Sequence, residues 1–261
     1  MKVGIFYYSA TGNTRLACQY IARKLRNTNV QLVDITEVAD PSLDSFDLVG
    51  FATFTDFWGP PYLMQEFVEK IPNQKDKPAF LFATHSGNLS NLLKVFANWL
   101  SDKGFMIVGS HGLRVPGSFP PAIARGDTAE DAPNEREMRS FDEFIRELDG
   151  IIAKREFKRG QVQVSLLANF APAISRKSAK KNMGKKYIDE ALCNECGICQ
   201  KACPYKAVNL EPKPVFNEDR CYGCWACFNR CPTKAIYTSK MHGKGHYPKP
   251  NAQLQRKLGV K

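Results

Sequence analysis

Residues 3–14, VGIFYYSATGNT, decide how the first half of the chain folds. A compact apolar run, 3–9, breaks into small hydroxyl residues and one glycine. Helical spacing follows over 14–26, with Leu16, Ile21 and Leu25 on or near one face. The same alternation continues outward. Short apolar runs at 30–35, 46–53, 78–85 and 105–112 read as strands, and 61–71, 89–103 and 135–154 read as helices. Strands apolar on both faces that alternate with helices require a parallel sheet covered on both sides. The expectation is a doubly wound α/β domain over residues 1–154.

The loop Ser9-Ala10-Thr11-Gly12-Asn13-Thr14 carries chemistry of its own. Small residues let successive backbone N–H groups face an anion at a helix N-terminus, where the dipole favours negative charge. No Lys or Arg lies within the loop, so a terminal monophosphate held by N–H and hydroxyl groups suits it. The Gly-Lys-Ser/Thr of a Walker loop and the GxGxxG of a dinucleotide loop are both absent. With this loop after the first of five strands, residues 1–150 resemble the flavodoxins, and the fold expected is the flavodoxin-like parallel five-stranded sheet.

That resemblance implies FMN, with Ser9, Thr11, Asn13 and Thr14 binding its phosphate alongside Ala10 and Gly12. It further implies that the loops after the third and fourth strands hold the isoalloxazine. Those loops are Thr53-Phe54-Thr55-Asp56-Phe57-Trp58-Gly59 and Thr84-His85-Ser86-Gly87-Asn88. Phe54, Phe57 and Trp58 are the candidates to stack on the ring, with a place in the core the equal alternative. The segment 112–134, long for a loop in this fold, follows the fifth strand and is placed to reach the flavin edge.

The second half differs in charge and in cysteine content. Residues 1–150 carry a net −4 and residues 151–261 a net +15. Of nine cysteines, Cys18 alone lies in the first half, read as a small buried residue of helix one; the other eight fall between Cys193 and Cys231. They form two frames 28 residues apart, Cys193-x2-Cys196-x2-Cys199-x3-Cys203-Pro and Cys221-x2-Cys224-x2-Cys227-x3-Cys231-Pro. Three thiolates on one short loop suit a cubic iron–sulfur cluster. The fourth, read as starting a helix, reaches the other cluster. The expected sets are therefore Cys193, Cys196, Cys199 and Cys231 for one 4Fe–4S cluster, and Cys221, Cys224, Cys227 and Cys203 for a second. Zinc is disfavoured because C-x2-C-x2-C crowds three thiolates into one turn. Disulfides are disfavoured because the N-terminus does not read as a secretory signal. About 50 residues here resemble the bacterial-type two-cluster ferredoxins, a small α+β domain assigned to 187–240. Residues 155–186 read as a basic linker with an apolar patch, SLLANFAPAI, and 241–261 as a basic, Gly/Pro-rich tail.

Taken whole, the chain resembles the flavodoxin–ferredoxin fusion proteins of the EFR1 type. What this implies is electron transfer between FMN and two 4Fe–4S clusters, coupling one-electron and two-electron steps for a redox protein partner. An acidic partner would suit the basic half. The alternative reading is an FMN-dependent reductase of a small-molecule substrate fed by the clusters. Composition (43% hydrophobic, 24% charged) excludes a disordered chain. No apolar run is long enough for a membrane span, and a cytoplasmic location is the default expectation. No aromatic–basic interleaving points to nucleic acid. His242 and His246 are separated by glycines that argue against a shared metal. The sequence leaves oligomeric state open.

Overall fold

The computed structural model describes residues 1–26, 28–39, 41–163 and 176–259. The strands β1 (Lys2–Tyr7), β2 (Asn29–Asp34), β3 (Leu48–Phe54), β4 (Lys77–His85) and β5 (Phe105–Arg114) form one parallel sheet in the order β2-β1-β3-β4-β5. This is the flavodoxin-like order, and its crevice lies where the order reverses, at the C-terminal ends of β1 and β3. Helices α1 (Asn13–Lys24) and α5 (Glu135–Lys154) cover one face, over Ile5, Phe80 and Phe82. Helices α2 (Tyr62–Lys70) and α3 (Leu92–Asp102) cover the other, over Phe6, Phe51 and Leu81. Helix α5 starts on a capping box: Asn134 accepts from the Glu137 N–H at 2.9 Å, and Glu137 accepts from the Asn134 N–H at 2.7 Å.

Strand β5 runs to Arg114, beyond the expected end, because it stays paired with β4 as far as His85. The segment read as a long loop also holds a short helix, α4 (Pro120–Ile123), opened by two prolines at positions that need no N–H donor.

His111 on β5 lies flat against Phe141 and Phe144, with ring centroids 5.5 and 5.2 Å away. Burial pushes its imidazole down from 6.5 to about 4. It therefore folds neutral. The stability this gives is whole above pH 6.5 and is lost as pH falls through 4, by on the order of 3 kcal/mol. His111→Phe should remove that part of the acid sensitivity in urea unfolding followed across this range. An equal loss of stability in the variant would show that another group is responsible.

Much of the segment between the two expected domains is packed. Within the segment read as linker, residues 155–163 run beside the sheet edge, with the Gly160 N–H donating to the Ile107 carbonyl at 2.9 Å. Helix α6 (Arg176–Met183) follows, its Ala179 and Met183 buried against the cysteine-rich domain. The apolar patch SLLANFAPAI lies outside the described residues.

In the cysteine-rich domain, β6 (Lys186–Ile188) pairs antiparallel with β9 (Ile236–Thr238), and β7 (Val208–Leu210) with β8 (Pro214–Phe216). Each pair joins the first 28-residue repeat to the second. The tail, read as loop, ends in a helix, α9 (Ala252–Lys257), capped by Asn251 accepting from the Leu254 N–H at 2.8 Å. Leu254 and Leu258 are fully buried in the core beneath α1 and α5. Among the described residues no helix is long and apolar enough to cross a membrane.

Candidate functional site

The cysteines gather in two sets of four. Cys203, Cys221, Cys224 and Cys227 line one cavity, and Cys193, Cys196, Cys199 and Cys231 line another. Each set takes three residues from one repeat and the fourth from the other, the crossed arrangement that the spacing implies. One detail differs from expectation. The fourth cysteine ends a helix rather than starting one: Cys203 follows α7 (Ile198–Lys201) and Cys231 caps α8 (Ala226–Arg230). The x3 spacing carries it past the last helical turn, towards the neighbouring cavity.

Each cysteine loop turns twice through the left-handed region, at Glu195 and Gly197 in the first and at Gly223 and Trp225 in the second. Gly223 is required by space as well, since a Cβ there would lie 2.9 Å from the α6 backbone. Burial pushes the Cys199 thiol up to about 11 and Cys224 up to about 12. Thiolates at these depths need cationic partners, which iron supplies when bound. Backbone N–H groups also turn towards sulfur: that of Ala207 donates to Cys203 Sγ at 3.2 Å. Among the described residues no three His, Cys, Asp or Glu side chains are grouped as a single metal ion would need. This donor set, four thiols around a volume, fits a cluster.

At the crevice of the first domain, Gly12 caps α1 with φ 101°. The Ser9 hydroxyl accepts from the N–H groups of Gly12 (3.1 Å) and Arg15 (3.2 Å). Thr14 and Thr84 share a 2.9 Å hydroxyl contact that ties the loop to the end of β4. Of the buried polar atoms without a hydrogen-bond partner among the described residues, four belong to this crevice: Tyr8 Oη, Thr53 Oγ1, Thr55 Oγ1 and His85 Nδ1. All four lie at the C-terminal ends of β1, β3 and β4. Buried polar groups are ordinarily paired, so these orphans mark where a polar ligand such as a flavin would make its bonds. Burial holds His85 below its usual value.

The three aromatic candidates part company. Phe54 packs on Tyr8 in the core, 5.3 Å between ring centroids, and Phe57 meets Phe119 edge-on at 5.9 Å. Trp58 points outward, 45% exposed. In the fourth-strand loop, Asn88 accepts from the Ser90 N–H at 2.7 Å, Ser86 sits beneath Gly117, and Gly87 borders open space.

The two domains meet at this crevice. Cys224 and Ala226 pack into the core on the α2/α3 face. Tyr222 stacks on Tyr62 at 6.4 Å and hydrogen-bonds to the buried Asp56 carboxyl, which burial pushes up to about 6. Phe119 connects Phe57 to Trp225, 6.3 Å away. Arg230 donates to the carbonyls of Ala10 (2.7 Å) and Ser9 (3.1 Å), so a cation absent from the loop's own sequence comes from the second domain. Tyr247 donates to Asn13 Oδ1 at 3.0 Å, and Pro250 lies over Gly12. The sequence reading missed Arg230, Tyr247 and Pro250. Contacts across more than 200 residues leave no local pattern to read.

Comparison with known proteins agrees with this division. A flavodoxin-domain family model matches residues 4–91, and a 4Fe-4S dicluster-domain model matches residues 192–235. The chain joins a flavodoxin domain to an iron–sulfur domain. An uncharacterized protein of Methanocaldococcus jannaschii is 26% identical over 151 residues, 57% of this chain and 98% of its own length. A short stretch of 30 residues is 53% identical to an uncharacterized ABC transporter ATP-binding protein of the same organism, covering 12% of this chain and 5% of that one. Among solved structures, an archaeal flavodoxin superposes with a TM-score of 0.44 at 15% identity, covering 59% of this chain and 99% of its own. The domain content is that of an FMN- and iron–sulfur-containing electron-transport protein.

Proposed function

We propose that the chain is an electron-transfer protein of the EFR1 type, in which two 4Fe–4S clusters and one FMN form a single relay. The packing of Cys224 and Ala226 against the flavodoxin-domain core carries this reading, because it sets one cysteine cavity beside the flavin crevice. When bound, the clusters pass single electrons and FMN takes one or two, so the fusion would couple one-electron to two-electron chemistry. Cys203, Cys221, Cys224 and Cys227 would hold the cluster nearer the flavin, and Cys193, Cys196, Cys199 and Cys231 the outer one.

The N–H groups at the start of α1, with Thr11 and Thr14, would hold the FMN phosphate, and Thr53, Thr55, Tyr8 and His85 would bond polar atoms of the ring. Tyr222, Trp225 and Phe119 exclude water from the junction. Cys196 is exposed, which supports a reading in which a partner would meet the outer cavity. This assignment predicts that Cys203→Ala removes the cluster served by Cys221, Cys224 and Cys227 and spares the other. Loss of the cluster held by Cys193, Cys196 and Cys199 instead, read by electron paramagnetic resonance and iron content, would reverse the wiring.

The partner proposed is an acidic one-electron carrier protein, because residues 151–261 carry +15. Its association rate should fall as the Debye length drops from about 30 Å at 0.01 M salt to about 10 Å at 0.1 M. A flat rate across that range would reject docking through charge.

A further inference from the structure

The 28-residue repeat places equivalent backbone positions around the two cysteine cavities, and two of these positions differ in charge: Lys186 against Pro214, and Glu195 at the second cavity against Gly223. Lys186 lines the cavity of Cys203, Cys221, Cys224 and Cys227, and its repeat partner Pro214 lines the other. The Lys186 side chain is only 2% exposed. Its ammonium lies 2.8 Å from Glu218 Oε2 and 5.9 Å from the centre of the Phe216 ring, and the Cys221 sulfur also acts on it. Glu218 is the outer member of the pair, 31% exposed and open to screening by water. The pair is thus a dipole with its positive end inside, beside the cysteines.

We infer that Lys186 raises the reduction potential of the cluster held by Cys203, Cys221, Cys224 and Cys227, making it the better electron acceptor at the flavin side of the relay. The inference rests on the proposed reading that these cysteines hold a cluster. Reduction adds one electron, taken from an external one-electron reductant, and no proton or ligand changes place. The added negative charge appears in a buried cavity, where a nearby cation counts for far more than in water. Burial alone works the other way, since it disfavours added charge. Lys186 offsets that burial in this cavity, and the apolar Pro214 provides no such offset in the other. The cluster next to FMN can then be reduced although it is the more enclosed of the two.

The test is a redox titration with dithionite of the intact, cluster-loaded protein, monitored by electron paramagnetic resonance. The signal lost in Cys203→Ala identifies the cluster concerned. Lys186→Gln should lower the potential of that cluster and leave the other unchanged. Glu218→Gln removes the opposing charge and should raise it. Opposite shifts are the signature of charge, whereas a merely structural role for the pair would move both variants the same way. If Lys186→Gln fails to assemble the cluster, the upward shift in Glu218→Gln still decides the matter. Unchanged potentials, or shifts of the same sign, would overturn the inference with the relay reading intact. A wild-type protein with iron for only one cluster would overturn both.

Discussion

Removal of residues 247–261 should release FMN and leave both proposed clusters in place. The segment leaves the cysteine-rich domain, crosses the phosphate loop and anchors in the first domain. Tyr247 holds Asn13, Pro250 covers Gly12, and Asn251 donates to the Glu130 carbonyl at 3.1 Å. Beyond these, Leu254 and Leu258 have no exposed surface, and Arg23 donates to the Leu258 carbonyl. A buried leucine truncated to alanine costs about 2–5 kcal/mol, so α9 is a firm anchor. The two contacts on the loop need contribute only about 1.4 kcal/mol together to change flavin affinity tenfold. The expected result is a flavin dissociation constant at least about tenfold higher, measured by flavin fluorescence after ultrafiltration. Leu254→Asp should act in the same direction, because an unpaired charge placed in that core would expel the helix. The cysteine domain keeps its own core through Met183, Trp225, Phe228 and Ile236, so iron content should hold. Flavin retained as tightly as in the intact chain would remove the segment from the site.

Most of the sheet was legible because its strands are buried on both faces. Such strands read as continuous Val, Phe and Leu runs, and the helices between them keep a 3.6-residue period. The cysteine sets were legible for a different reason, since ligand spacing is a local property that survives any uncertainty about the surrounding fold. Helices α6 and α9 were not legible. Each buries only two apolar residues four apart, Ala179 and Met183 or Leu254 and Leu258, among lysines, arginines and polar residues. Only the partner surface makes those faces apolar enough to matter.

The phosphate loop shows the same limit. Its residue types announced an anion site, but not that the Ser9 hydroxyl would turn back onto the loop's own N–H groups, nor that Arg230 would close over its carbonyls. The aromatic loop gave three equal candidates. Packing separated them, because Phe57 and Trp58 both adopt left-handed backbone, with φ 45° and 75°, in the turn closed by Asp56 and Gly59.

In the proposed relay, electrons reach FMN through the cysteine-bound clusters of the same chain. The junction supports this route: Tyr222, Trp225 and Ala226 belong to the second cysteine loop, and they pack against Tyr62, Phe119 and the flavodoxin-domain core. Anaerobic stopped-flow bleaching of the flavin tests it most directly, with a one-electron donor protein in one syringe. Cys196→Ala combined with Cys224→Ala removes one ligand from each set and leaves the phosphate loop untouched. This variant, with FMN bound, should lose flavin reduction by the donor protein and still be bleached directly by dithionite. Flavin bleaching by the donor protein at the wild-type rate would contradict the relay.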